Sequence, residues 1–266
     1  IGTVTIEGTP TLIAQGKGAT AVAAYTWSDN AQSDWDDASK HVAISGGTFS
    51  QKPDDALLAP DFVLVENQDG TFGVASAYVA SIGDVKYATL EEAFGAVAVD
   101  GTKTTITVLT DMEITKALTV PEGAKLTLNL DGHTLTAPET LTDPVITNKG
   151  NSLTLQTNSK PSAIIAAGGM VIYNYAGTLA GATPATKGKY LTLRTTASNS
   201  MAVFSGGGSV KLSGMTGSLI QGSAGAVWVR GGELTISSAL TLDGGNGPAV
   251  ALSPMNAAVT FKTSRT

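Results

Sequence analysis

The sequence predicts an all-β fold, a right-handed parallel β-helix with three faces, and three observations carry that prediction. Leu-Thr-Leu stands at 126–128, 153–155 and 191–193, then returns as Val210-Lys211-Leu212, Leu234-Thr235-Ile236 and Val259-Thr260-Phe261, at intervals of 27, 38, 19, 24 and 25 residues. A period of about 25 residues marks a solenoid. Within an interval three short apolar segments follow one another: Val210 to Gly214, Ser218 to Gly222, then Ala226 to Gly232. The 31 glycines supply tight corners between such segments. Parallel crossovers are right-handed by strong preference, which sets the expected hand.

Alternation along a strand places Leu126, Leu153, Leu191, Val210, Leu234 and Val259 on one inward column. Leu128, Leu155, Leu193, Leu212, Ile236 and Phe261 form the next. An insertion around Gly177 to Gly188 and one coil short by a strand would account for the intervals of 38 and 19.

From the first residue onward the chain is read in three parts. Residues 1–50 are the closing coils of a first β-helix module: Val4-Thr5-Ile6, Thr11 to Gly16 and Ala21 to Tyr25 make one three-strand cycle, and Val42 to Phe49 opens another. Residues 51–75 are a joint, with Pro53 and Pro60 as punctuation and a hairpin around Asn67-Gln68-Asp69-Gly70. Residues 76–266 are a second module. Its opening carries a capping helix near 89–98, because Thr89 and Glu92 form a capping box and Ala93, Phe94 and Val97 supply an apolar face. A solenoid needs such a lid to keep water and stray strands off its first layer.

Tyr87-Ala88-Thr89-Leu90-Glu91-Glu92-Ala93-Phe94, the run Ile106 to Asp111, and Leu128-Asn129-Leu130-Asp131-Gly132-His133-Thr134-Leu135 resemble the opening of pectate-lyase-like right-handed parallel β-helix modules in large secreted surface proteins of Gram-positive gut bacteria. Ile44 to Ser50 with the Asp69-Gly70-Thr71 turn is similar to the closing motif of those modules. The resemblance covers nearly the whole chain and is specific for architecture. It implies either an extracellular, secreted or wall-attached adhesin or stalk, or a polysaccharide lyase or glycoside hydrolase, since the superfamily holds both. Neighbouring modules of the same chain are the first expected partners.

Composition narrows the chemistry. No cysteine is present, which excludes disulfides and thiol catalysis, and no apolar run reaches the roughly 18 residues of a membrane span. Ile1 in place of Met is what removal of a signal peptide would leave. The net charge of −6 hides a division: residues 1–143 hold 7 basic and 20 acidic residues, residues 144–266 hold 9 basic residues against Glu233 and Asp243. No nucleic acid is expected as a partner; an anionic glycan or cell-wall polymer could be drawn to the basic half.

Glycoside hydrolysis usually needs two carboxylates flanking the scissile bond, and lyases of this architecture need an acidic metal cluster with a base. Glu233 and Asp243 are the only carboxylates after Asp143, and both sit beside glycine at corners. Asp131-Gly132-His133 reads as a turn, and His41 has no nucleophile at a recognised spacing, so no catalytic residue is assigned. No cofactor is expected. Calcium is the one metal the chain could take, at Asp29, Asp34, Asp36 and Asp37 between Trp27 and Trp35. For a ligand surface, aligning Ala202-Val203-Phe204 with Ala226-Val227-Trp228 puts both aromatics outside, with Tyr173 or Ile172 in the coil before. Arg230 falls on the same face, and Arg194 and Lys211 on the neighbouring sheet.

Overall fold

In the computed structural model of the chain, residues 4–15, 21–22, 42–158, 160–182, 190–253 and 257–261 are described. They are nearly all β and separate into two compact units, residues 1–78 and 79–266.

In the first unit Val4–Ile6 pairs in parallel with Val42–Ile44, and Thr11–Leu12 with Thr48–Phe49, which makes two coil levels in register. Ile44, Phe49 and Leu57 are buried between them. The antiparallel hairpin Phe62–Glu66 with Phe72–Ser76 then pairs onto Thr48–Phe49. Its turn is held by Asp69, whose carboxylate accepts from the Thr71 hydroxyl at 2.6 Å and the Thr71 N–H at 3.0 Å.

The second unit is a parallel β-solenoid. Its first face stacks Lys103–Val108, Lys125–Asn129, Ser152–Gln156, Thr178–Gly181, Ser209–Leu212, Gly232–Ile236 and Ala257–Phe261. The second stacks Met112–Glu113, Thr134–Ala137, Ser162–Ala166, Leu191–Thr195, Leu219–Gln221 and Thr241–Asp243. The third stacks Leu118–Val120, Ile146–Asn148, Ile172–Asn174, Met201–Ser205, Gly225–Val229 and Val250–Leu252. One continuous core runs through the coils from Lys103–Val108 to Val250–Leu252. Each fully buried Leu or Ile in it contributes about 1.5–3 kcal/mol.

One expectation is corrected. Leu191-Thr192-Leu193 lies on the second face, between Ser162–Ala166 and Leu219–Gln221, and the first-face strand of that coil is Thr178–Gly181. The inward column is therefore Thr104, Leu126, Leu153, Leu179, Val210 and Leu234. The segment read as an insertion at 177–188 begins as this strand. The sequence marks it weakly because Ala180 and Gly181 are poor strand formers, while an in-out-in tripeptide such as Leu-Thr-Leu suits any face. A Cβ on Gly181 would lie 2.2 Å from the Met215 Cγ, so the missing side chain makes room for Met215 of the next coil.

The helix Leu90–Gly95 begins with the capping box. Thr89 Oγ1 accepts from the Glu92 N–H at 3.2 Å, and Glu92 Oε2 accepts from the Thr89 N–H at 3.3 Å. Leu90, Ala93, Phe94 and Val97 are buried in the same core as Leu118 and Val120 of the first coil. The antiparallel pair Ala80–Ile82 and Val85–Tyr87 extends the first face beyond Lys103–Val108, so that face does not start on a bare edge.

At the corner from third to first face the inward position is polar. Asn148 Nδ2 donates to Asn174 Oδ1 at 2.7 Å, and Asn174 Nδ2 donates to Ser205 Oγ and the Ser209 carbonyl, each at 3.3 Å. The Gly150 N–H donates to Asn148 Oδ1 at 3.1 Å. All three side chains are buried. The ladder satisfies corner backbone groups that would otherwise be orphaned in an apolar interior.

Two substitutions test this description. Leu212 is 2% exposed and points inward, whereas Ser213 is exposed. Leu212→Asp is expected to unfold the second unit, and Ser213→Asp to change the melting temperature little; equal effects would reverse the inward and outward assignment. Asn174→Ala is expected to cost about 1–3 kcal/mol in urea unfolding, because it strips partners from Asn148 and the Ser209 carbonyl.

Candidate functional site

Third-face strands have an outward central position between two inward ones, and the ladder stacks those positions as Thr119, Thr147, Tyr173, Phe204, Trp228 and Ala251. The flanking Ile172 and Asn174, Val203 and Ser205, and Val227 and Val229 are buried, which forces the aromatics out. Three consecutive coils thus present Tyr173, Phe204 and Trp228 in one column. The Tyr173 and Phe204 ring centroids are 5.4 Å apart with planes tilted by 40°. Phe204 and Trp228 are 6.0 Å apart, edge to face. Trp228 is 38% exposed.

A second column runs beside the first, at the corner. The same backbone hydrogen bond repeats from coil to coil: Lys149 N–H to the Val120 carbonyl, Tyr175 to Asn148, Gly206 to Asn174, Arg230 to Ser205 and Ser253 to Val229, at 2.8–3.2 Å. Lys149, Tyr175, Gly206, Arg230 and Ser253 therefore stack in order. Tyr175 is 56% exposed and meets Tyr173 edge to face at 5.8 Å. A Cβ on Gly206 would sit 2.9 Å from the Tyr173 hydroxyl oxygen. The Tyr173 ring lies against the gap this glycine leaves in the second column.

Of the residues singled out from the sequence, the structure brings Tyr173, Phe204, Trp228 and Arg230 together. Arg194 is elsewhere: it stands outward on the second face between Ile165 and Gln221. Lys211 stands on the first face between Ala180 and Thr235. The two cations thus lie on two different sheets rather than on one sheet beside the aromatics. Lys149, Tyr175 and Gly206 were not foreseen. Their signal was present, since each follows a third-face strand by one residue in consecutive coils. Asp29, Asp34, Asp36 and Asp37 lie outside the described residues, as does His41. Among the described residues no three His, Cys, Asp or Glu side chains group so as to hold a metal ion.

The carboxylates of the later coils do not converge. Glu233 points outward on the first face, where Oε1 accepts from the Thr235 hydroxyl at 3.1 Å. Asp243 stands outward on the second face, accepting from Gln221 Nε2 at 2.7 Å and the Gly245 N–H at 2.9 Å. These bonds, the Gly245 N–H first, hold the Asp243 carboxyl below its ordinary range. His133 closes a turn in which Asp131 and Gly132 both have positive φ, 45° and 97°, and its N–H donates to the Leu130 carbonyl at 2.8 Å. Its ring Nδ1 is 3.1 Å from Asp111 Oδ1, which also accepts from the Thr134 N–H at 2.9 Å. Asp111 thereby stitches the first coil to the second.

Comparison with protein-family models, with curated proteins and with solved structures gives no match in any of the three.

The Thr134 N–H above all, and then His133, hold the Asp111 carboxyl below its ordinary value. A depressed folded-state pKa gives stability that is full above the unfolded value, about 3.9, and is lost as pH falls through the folded one. Asp111→Asn is therefore expected to flatten the decline of melting temperature below about pH 4. An unchanged acid limb would show that Asp111 carries no such linkage.

Proposed function

We propose that this chain is a non-catalytic β-solenoid segment, a rigid stalk or adhesin piece of a larger bacterial secreted or cell-surface protein, and that its third face binds glycans. The observation that supports the binding role is the column Tyr173, Phe204, Trp228 over three consecutive coils, with Tyr175 beside it. Sugars present apolar C–H faces that stack on aromatic rings, and a ladder of rings along the axis offers a linear polymer repeated contacts. The stalk role draws on the register itself: each added coil lengthens the unit by about 4.8 Å without altering the cross-section. An extracellular, pectate-lyase-like setting draws on the motifs around Tyr87 to Phe94 and Leu128 to Leu135. The non-catalytic role draws on Glu233 and Asp243, which stand on different faces and are each engaged in local hydrogen bonds.

A glycan array probed with the full chain and with Trp228→Ala tests this. Binding by the wild type and its loss in the variant are expected, together with no unsaturated product or new reducing end from uronic-acid polymers. Signals unaffected by Trp228→Ala would remove the binding surface. Turnover abolished by Asp243→Asn or Glu233→Gln would make the chain an enzyme.

A further inference from the structure

The corner column beside the aromatics carries charge, and its spacing says what kind of glycan the face is built for. Lys149 is its first member and Arg230 its fourth, with Tyr175 and Gly206 between them, three coil steps apart, which is roughly 14 Å along the axis at ~4.8 Å per step. Both side chains are exposed, and neither has a carboxylate partner among the described residues. The only carboxylates after Asp143, Glu233 and Asp243, belong to the first and second faces. The third face from Lys149 onward is therefore a cationic strip with no internal acid to neutralise it. Gly206 leaves the middle of the strip without a side chain of its own, and the Tyr173 ring fills that place, so the aromatic column reaches into the strip.

Resting on the glycan-binding reading above, we infer that the ligand is a linear anionic polysaccharide lying parallel to the solenoid axis. Its sugar rings lie along Tyr173, Phe204 and Trp228, and its charged groups meet Lys149 at one end and Arg230 at the other. Arg230 can take a carboxylate or a sulfate with two parallel N–H donors, while Lys149 acts as a point charge. Aromatic stacking supplies contact area and the two cations supply selection. Exposed charge pairs are screened, so the preference for the anionic form fades with salt while the stacking persists.

The test uses the full chain and three hexasaccharide probes on one backbone: a 1,4-linked uronate hexamer, its carboxyl-reduced neutral form, and that neutral form after O-sulfation. Binding is read by calorimetry at about 20 mM and about 500 mM NaCl. The uronate or the sulfated probe is expected to bind about tenfold tighter than the neutral one at low salt, with the gap closing at high salt. Which anionic probe gains tells carboxylate from sulfate as the recognised group. Lys149→Gln with Arg230→Gln should abolish the gap and spare neutral binding, whereas Arg194→Gln and Lys211→Gln, on the other faces, should leave it. Equal binding of all three probes overturns the anionic assignment while the glycan reading stands. A gap that Arg194→Gln with Lys211→Gln removes as fully overturns the site in favour of bulk charge. No binding of any probe overturns the anionic assignment together with the glycan reading on which it rests.

Discussion

The second unit depends on one constraint: within the stacked coils each strand hydrogen-bonds in parallel register to its counterparts in the adjoining coils, so each position must suit the same position in its neighbours. A single inward slot is a column, and what stands in it must stack. Leucine, isoleucine and valine fill most of these columns, and the hydrophobic gain is shared between coils because each side chain is covered from above and below. The same rule applies outside, where nothing compels apolar residues. Stacked aromatics there are a property of the surface rather than of the core.

The corners show how the constraint is met when chain direction changes. Asn148, Asn174 and Ser205 replace apolar residues at the third-to-first turn because their side chains reach the backbone groups that the bend leaves unpaired. Glycine enters where a neighbour needs the volume: Gly181 yields to Met215 from the inside, and Gly206 lies against Tyr173 on the outside. The aromatic column and the buried polar ladder share the strands Ile172–Asn174 and Met201–Ser205, so the surface is held beside a corner whose buried side chains are hydrogen-bonded.

The solenoid was legible because its repeat is written in residue types that only a stacked core explains. The capping helix was legible too, since Thr89 and Glu92 meet in the way their spacing implies. Phasing was less so. Leu191-Thr192-Leu193 carries the right pattern on the wrong face, and Thr178 to Gly181 holds a first-face place with one large apolar side chain, Leu179; alternation gives inside and outside but not which of three sheets. The same loss of phase separates Arg194, on the second face, from Lys211, which keeps its expected place on the first. Tyr173, Phe204 and Trp228 were placed together because short strands flanked by glycine or asparagine leave little freedom in register. The second column lay just past the strand ends, where no apolar pattern marks it.

Because the backbone bonds between coils point along the solenoid axis, a pull on its two ends does not load them all at once. Tension opens the outermost coil first, as a zipper, and leaves the next one intact. Each coil so released gives up about 4.8 Å of axial height and yields a free chain of some 24 residues, the interval from Val210 to Leu234, or roughly 80 Å when taut. A solenoid stacked in this way lengthens under load by steps more than ten times the height it loses, so stiffness at rest and extensibility under strain come from the same stacking.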